Sequence, residues 1–398
     1  MYRRFLTVKL RMLGRQFPVV TLTGPRQSGK TTLLRQEYRN HPYISLEDPD
    51  HREFAQQDPR GFLAQFDEPV ILDEVQRVPH LFSYIQTVVD RRKKPGQFFL
   101  TGSHNFPLME SISQSLAGRA AVLHLLPLSL AEFLRRPPLI IDSVGKTASH
   151  KATKPRTSLF QILYSGLYPR IHDKRLNPTD WLESYYQLYV ERDVRLLVNI
   201  GDIRTFERFL ALCAGRAGQL LNLSSLASDC GITHTTAARW ISLLEASFLI
   251  VLLRPYHNNF GKRVIKAPKL YFLDTGLLCY LLGIRNAAQV RAHSSRGAIF
   301  ESFVISEMYK NFYHRGQRAP LFFWRSSAGH EVDLLVELGE KLIPIEIKSG
   351  ETIAGDFFDG LHKWSELAGQ RTGPAALFHG GGEHYRRQGV VVYPWFSL

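Results

Sequence analysis

Three cysteines in 398 residues are too few for a disulfide framework. Cys213, Cys230 and Cys279 have neither C-x-x-C nor metal-ligand spacing, so they are expected as buried thiols in a reducing cytoplasm. No uninterrupted apolar run reaches the ~18 residues that a membrane-spanning helix needs. The opening Met1-Tyr-Arg-Arg is basic, but Lys9, Arg11 and Arg15 break up the apolar residues after it, and no secretory signal is expected. There is no internal repeat and no polybasic tail. Acidic charge is scarce: 36 Asp and Glu face 50 Lys and Arg, a net charge of +14. That excess suits phosphate backbones or other anionic surfaces, and it serves equally well as a solubility charge. Hydrophobic residues make up 44% of the chain, enough for real cores, and the length fits roughly two to four domains.

What is present begins at Gly24-Pro25-Arg26-Gln27-Ser28-Gly29-Lys30-Thr31, followed by Thr32. The stretch fits G-x-x-x-x-G-K-[ST] at every fixed position. A buried strand, Phe17–Thr23, precedes it, and a helix opening at Thr31 comes after it. Glycines let successive N–H groups turn inward on a triphosphate, and the helix N-terminus adds the positive end of its dipole. In this pattern Lys30 reaches the β- and γ-phosphates and the Thr31 hydroxyl ligates magnesium. The companion motif is the apolar run Pro69–Leu72 ending in Asp73-Glu74. Asp73 is expected to hold the magnesium shell, and Glu74 to orient the attacking water. A third apolar strand, Gln97–Ser103, carries Ser103, with Asn105 nearby, toward the γ-phosphate; a plain strand-to-helix cap explains the same residues.

The phosphate loop, Tyr43–Leu46, the acidic-pair strand, the polar-tipped strand and Ala120–Leu126 alternate with helical stretches. That order predicts a doubly wound parallel α/β sheet with its ligand at the carboxyl ends of the strands. The pattern resembles the AAA+ ATPases, in particular the bacterial and archaeal proteins that join an AAA domain to DUF4143. The resemblance implies ATP and Mg2+ as cofactors, with Lys30 and Thr31 as the Walker A pair and Asp73 and Glu74 as the Walker B pair. It makes Ser103 the counterpart of sensor 1. Arg119 stands where many such proteins place an arginine finger, which implies a homo-oligomer, or it is a surface residue. Tyr189–Arg195 also resembles the family, with no chemical role assigned.

Composition then divides the chain. Residues 1–136 read as the ATPase core, and 137–158, rich in Pro, Lys, Ser and Thr, as a linker. Residues 159–200 read as a helical connector with Trp181, Tyr185, Leu188, Tyr189 and Leu196 on one face. Residues 201–260 read as a winged helix-turn-helix: a Ser-capped helix Leu223–Asp229, a turn Cys230-Gly-Ile, and a second helix Thr233–Glu245 that presents His234, Thr235, Thr236 and Arg239. Such a module either reads DNA or serves for packing.

Residues 261–398 carry a second constellation. A helix bears Glu301, and three strand-like runs come next: Leu321–Trp324, Glu331–Val336 with Asp333, and Lys341–Lys348. In the last run Ile343, Ile345 and Ile347 alternate with Glu346 and Lys348, so both charges share a face. This resembles the PD-(D/E)xK nuclease superfamily, with Asp333 as first acid, Glu346 and Lys348 as the E-x-K, and Glu301 as the helix acid. Asp333 and Glu346 offer the hard oxygens magnesium takes, and Lys348 would steady the nucleophile or the developing phosphorane charge. Three carboxylates around one lysine predict an ion-free site that is strained or partly protonated.

Two functions fit this sequence. One is an ATP-hydrolysing protein acting on nucleic acid, DNA more than RNA, with a nuclease-like C-terminal module. The other is a nucleotide-dependent switch whose C-terminal fold only binds a partner. A small-molecule phosphotransferase needs neither the helix-turn-helix nor the distant E-x-K and is disfavoured.

Overall fold

Alternate residues along the first strands are apolar on both sides, which is what a sheet covered on both faces requires. In the computed structural model, residues 2–102, 115–146, 152–188, 203–256, 266–326 and 329–398 are described. Contacts divide the chain into two compact units: one of residues up to Leu128 with Ala246–Phe248 and Phe312–Arg318, the other of Ser129–Glu245, Leu249–Asn311 and Ala319–Leu398.

The first unit is built on a five-stranded sheet in the order β2-β3-β4-β1-β5. Its strands are β1 (Val19–Thr23), β2 (Tyr43–Ser45), β3 (Val70–Asp73), β4 (Phe98–Gly102) and β5 (Ala120–His124). Every pairing is parallel, as expected. Val19, Val70, Leu72, Phe98 and Leu100 enter one core with helices Pro49–Gln57, Pro59–Ala64 and Leu81–Arg92. Val20, Leu22, Ile71 and Phe99 enter the other with helices Leu6–Gly14 and Lys30–Glu37. Period-two alternation therefore feeds two cores from the same strands.

By its contacts the short helix Leu130–Phe133 falls in the second unit: Ser129 and Glu132 form its capping box, and the Leu130 N–H donates to Glu307 Oε2 at 2.7 Å. Part of the expected linker is packed rather than loose, since Leu139, Ile141 and Val144 are buried and the Gly145 N–H reaches the Tyr393 hydroxyl at 3.1 Å. In the connector, Trp181 and Tyr185 stack with centroids 5.2 Å apart, but Leu188 is 67% exposed and leaves the expected face. Tyr189–Arg195 lies outside the described residues, as does Leu196.

Helices Leu223–Cys230 and His234–Ala246 flank a turn at Gly231, whose φ of 69° suits a residue without Cβ. The first helix is capped by Asn222, which accepts from the Ser225 N–H, and not by serine. Thr233 Oγ1 accepts from the Thr236 N–H at the second. Trp240 packs edge-on against Phe206 and Phe209 of helix Ile203–Gly215. The expected wing turn, 257–265, lies outside the described residues.

Strands β6 (Ile250–Pro255), β7 (Lys269–Phe272), β8 (Leu321–Arg325), β9 (Glu331–Leu338), β10 (Lys341–Lys348), β11 (Ala376–His379), β12 (Tyr385–Arg387) and β13 (Val390–Pro394) form one mixed sheet, ordered β12-β13-β11-β10-β9-β8-β6-β7. β6 pairs with β7 on one side and with β8 on the other. The boundary expected at 260 therefore falls inside a continuous sheet. Trp364 and Leu361 of helix Asp359–Ala368 join Leu335, Leu342 and Leu377 in a buried cluster.

Candidate functional site

In the first unit the loop 24–31 runs from the carboxyl end of β1 into helix Lys30–Glu37. Gly24 has φ 144°, and a Cβ there would lie 2.2 Å from the Leu125 carbonyl oxygen, so no other residue fits. Gly29 has φ 97°. Lys30 is buried and donates to the carbonyls of Gly24 and Pro25 at 3.0 and 2.9 Å. Burial lowers its pKa to about 8 against the pull of Glu74 and Asp73.

Asp73 closes β3 and is gripped by three hydroxyls. Thr31 Oγ1 donates to its Oδ2 at 3.0 Å, the Tyr43 hydroxyl to the same oxygen at 2.7 Å, and Thr101 Oγ1 to Oδ1. Burial still raises the Asp73 pKa, the Tyr43 hydrogen bond opposing it. One hydroxyl and one carboxylate side by side are the hard oxygens magnesium takes, so Thr31 and Asp73 fit that ion. Glu74 adopts a left-handed backbone, φ 55°, where non-glycine residues store strain, and Gln76 donates to its Oε2.

Arg119 is not brought to this loop. β1 and β5 are parallel and pair Val19 with Ala120, so Arg119 sits at the amino end of the strands while the loop leaves the carboxyl end. There it forms a two-pronged ion pair with Asp90, at 2.5 and 2.9 Å. The two expected readings, a finger that serves a neighbouring copy and a surface residue, both place it away from the nucleotide of its own chain. Ser103 lies outside the described residues. Tyr43 and Thr101 were not singled out from the sequence; a threonine two positions before Ser103 in an apolar strand was the available signal.

In the second unit β9 and β10 pair antiparallel with Ile345 opposite Leu334, which sets Asp333 opposite Glu346. Asp333 Oδ2 accepts the Ile347 N–H at 2.9 Å, and Lys348 Nζ lies 2.5 Å from Glu346 Oε1. Glu346 Oε2 is buried with no hydrogen-bond partner. Burial, then the Asp333 charge, pushes the Glu346 pKa well up. Burial opposes the Lys348 charge, but Asp333 and Glu346 raise its pKa on balance. Glu301 is driven up to about 7, first by burial and then by Asp333. Asp333 thus acts on all three of its expected companions, lifting both carboxyls and the ammonium.

The surroundings differ from the expectation of one lysine. Lys269, nearly fully buried, contacts Glu301 Oε1 at 3.3 Å and also Glu331 Oε1. The Tyr271 hydroxyl donates to Glu301 Oε1. Glu331 is further paired with Arg325 at 3.4 Å. Lys269, Tyr271 and Glu331 went unnoticed in the sequence, where a lysine heading the apolar run Lys-Leu-Tyr-Phe was the only sign. Among the described residues no three His, Cys, Asp or Glu side chains form a ready metal cage. Asp333 and Glu346, with the orphaned Oε2, remain a two-carboxylate fit for one divalent ion.

Cys213, Cys230 and Cys279 are all buried, as expected. Among the described residues no helix is long and apolar enough to cross a membrane.

Comparison with known proteins gives three matching family models: an AAA domain over residues 16–134, the domain of unknown function DUF8612 over 156–288, and the domain of unknown function DUF4143 over 296–398. An uncharacterized protein of Mycobacterium tuberculosis is 32% identical over 355 residues, covering 88% of this chain and 74% of that one. An uncharacterized protein of Methanocaldococcus jannaschii is 23% identical over 366 residues, covering 87% and 78%. Among solved structures, a Walker-type ATPase of Pyrococcus abyssi matches with a TM-score of 0.44 and 14% identity, covering 69% of this chain and 94% of that one.

Proposed function

This chain belongs to the family of proteins that join an AAA domain to a C-terminal DUF4143 domain, and from that premise we propose that it binds and hydrolyses ATP with magnesium and acts on nucleic acid through a metal-dependent phosphodiesterase site in its second unit. The observation that carries the ATPase reading is the meeting of Thr31, from the phosphate loop, with Asp73, from a different strand, at 3.0 Å beside buried Lys30. Magnesium, when bound, neutralises phosphate charge. Thr31 and Asp73 would hold it, Lys30 would exchange the loop carbonyls for phosphate oxygens, and Glu74 would aim the attacking water. Lys30→Ala is expected to abolish tight nucleotide binding, and Glu74→Gln to keep binding and lose turnover. Unchanged steady-state hydrolysis in both variants would sink the assignment.

The nucleic-acid reading is supported by the basic charge, the exposed His234, Thr235 and Arg239 on the second helix of the helix-turn-helix, and the Asp333–Glu346–Lys348 arrangement. DNA is the favoured polymer and the cytoplasm the fitting compartment. Arg119, remote from its own loop, suits a homo-oligomer in which it serves a neighbour. A second reading, a nucleotide-dependent switch with an inactive nuclease-like fold, is favoured by the hold of Lys269 and Tyr271 on Glu301. Asp333→Asn separates the two. Loss of a divalent-dependent DNA cleavage present in the wild type, at unchanged melting temperature, supports the first. A wild type that never cleaves DNA or RNA, with or without ATP, leaves the second.

A further inference from the structure

Near the basic opening of the chain, Arg4 is only 7% exposed, whereas its neighbour Arg3 is exposed. The Arg4 guanidinium lies behind the phosphate loop. Nη1 donates to the Ser28 carbonyl at 2.7 Å. Nη2 donates to the Leu126 carbonyl at 2.6 Å, with the Pro127 carbonyl at 3.4 Å and His314 Nε2 also at 3.4 Å. A guanidinium only donates, so a hydrogen bond to that ring needs Nε2 as acceptor and the proton on Nδ1.

We propose that Arg4 is a positioning residue of the phosphate loop: by holding the Ser28 carbonyl from behind, it turns the Gly29 N–H toward the polyphosphate of a nucleoside triphosphate. The proposal rests on the ATP-site reading above. Its physical basis is peptide planarity. In a trans peptide the C=O of one residue and the N–H of the next point to opposite edges of the same plane. Fixing the Ser28 oxygen on the guanidinium therefore aims the Gly29 N–H at the loop's interior. Gly29 has no Cβ, and one built there would come within 3.6 Å of Arg4 Nη1. Its φ of 97° is one that glycine alone adopts readily, and glycine's freedom leaves the peptide open to other orientations that a fixed Ser28 oxygen removes. The same guanidinium ties the loop to the chain leaving β5 at Leu126, and an ammonium cannot reproduce that fork. An anion-binding N–H that is already aimed costs the ligand no ordering.

The test uses the full chain and a fluorescent ATP analogue with magnesium, measuring Kd and melting temperature together. Arg3→Met is the control and should bind as the wild type does. Arg4→Met is expected to weaken analogue binding by about tenfold or more, the loss of a charge-assisted hydrogen bond. Arg4→Lys keeps the charge without the fork and should lie between. Lowered melting temperature with unchanged Kd in Arg4→Met would make Arg4 merely structural and overturn the proposal. If Arg4→Met does not fold, Arg4→Lys decides, and wild-type affinity in it overturns the proposal. A wild type that binds no analogue removes the ATP-site reading itself, and Arg4 with it.

Discussion

A lysine buried at the head of a helix gives up part of its proton affinity, and Lys30 falls from the ordinary 10.5 to about 8 through burial. Between these values the unfolded chain binds more protons than the native one, so this residue's contribution to stability rises with pH in that window. Nucleotide affinity should move the other way. Polyphosphate favours the charged amine, and above about pH 8 binding has to recruit a proton. Titrating an ATP analogue from about pH 7 to about pH 9.5 should show affinity falling through that window, and whatever weak binding Lys30→Met retains should show no such slope. A flat profile in the wild type would remove Lys30 as the titrating partner. At this scale the motif residues were legible because their chemistry is written in adjacent positions, as in Gly29-Lys30-Thr31. Tyr43, Thr101, Arg4 and Lys269 were not. Each joins its site across a long sequence separation, and nothing local marks a tyrosine as a partner of Asp73.

Among the elements, the apolar strands were readable since burial on both faces leaves them little freedom of composition. Helix ends were less so. The helix Leu223–Cys230 looked serine-capped, but Asn222 sits one position earlier and accepts the Ser225 N–H at 3.0 Å. Asn222→Ala should therefore cost about 1 kcal/mol of stability. Ser224→Ala, at an exposed position inside the helix, should change it by less than about 0.5 kcal/mol. Denaturant titration of both variants checks the pair, and equal losses would contradict the cap. The stretch after Arg135 misled because Pro, Lys, Ser and Thr outnumber its anchors. Leu139, Ile141 and Val144 are spaced too irregularly to announce a helix or a strand, though all three are buried.

The whole molecule carries +14 and a sequence pI of about 9.7. If phosphate contacts use that charge, log affinity for duplex or single-stranded DNA should fall linearly with log salt as counterions are released. Labelled strands titrated across a salt series test this, and no binding to either at low salt would leave the charge a solubility device. The division into units was only partly legible. The residues matched by DUF8612 include β6 and β7, those matched by DUF4143 include β8 to β13, and the eight strands are one sheet. Composition marks where a chain loosens. It carries no trace of which strand pairs with which, since β6 meets β8 across some 65 residues of intervening chain.

That pairing has a consequence in time. The first sheet has all its strands once His124 has left the ribosome. β6 emerges complete at Pro255, but its second neighbour ends at Arg325. At a synthesis rate of about 5–20 residues per second, that edge waits roughly 4 to 14 s for its partner. During the wait the residues still without β8 are few, Arg254 and Pro255, and proline has no N–H to offer, so only a short stretch of this edge can template association between nascent chains. A gene fragment ending near residue 300 would lack β8 and leave that short stretch without its native partner.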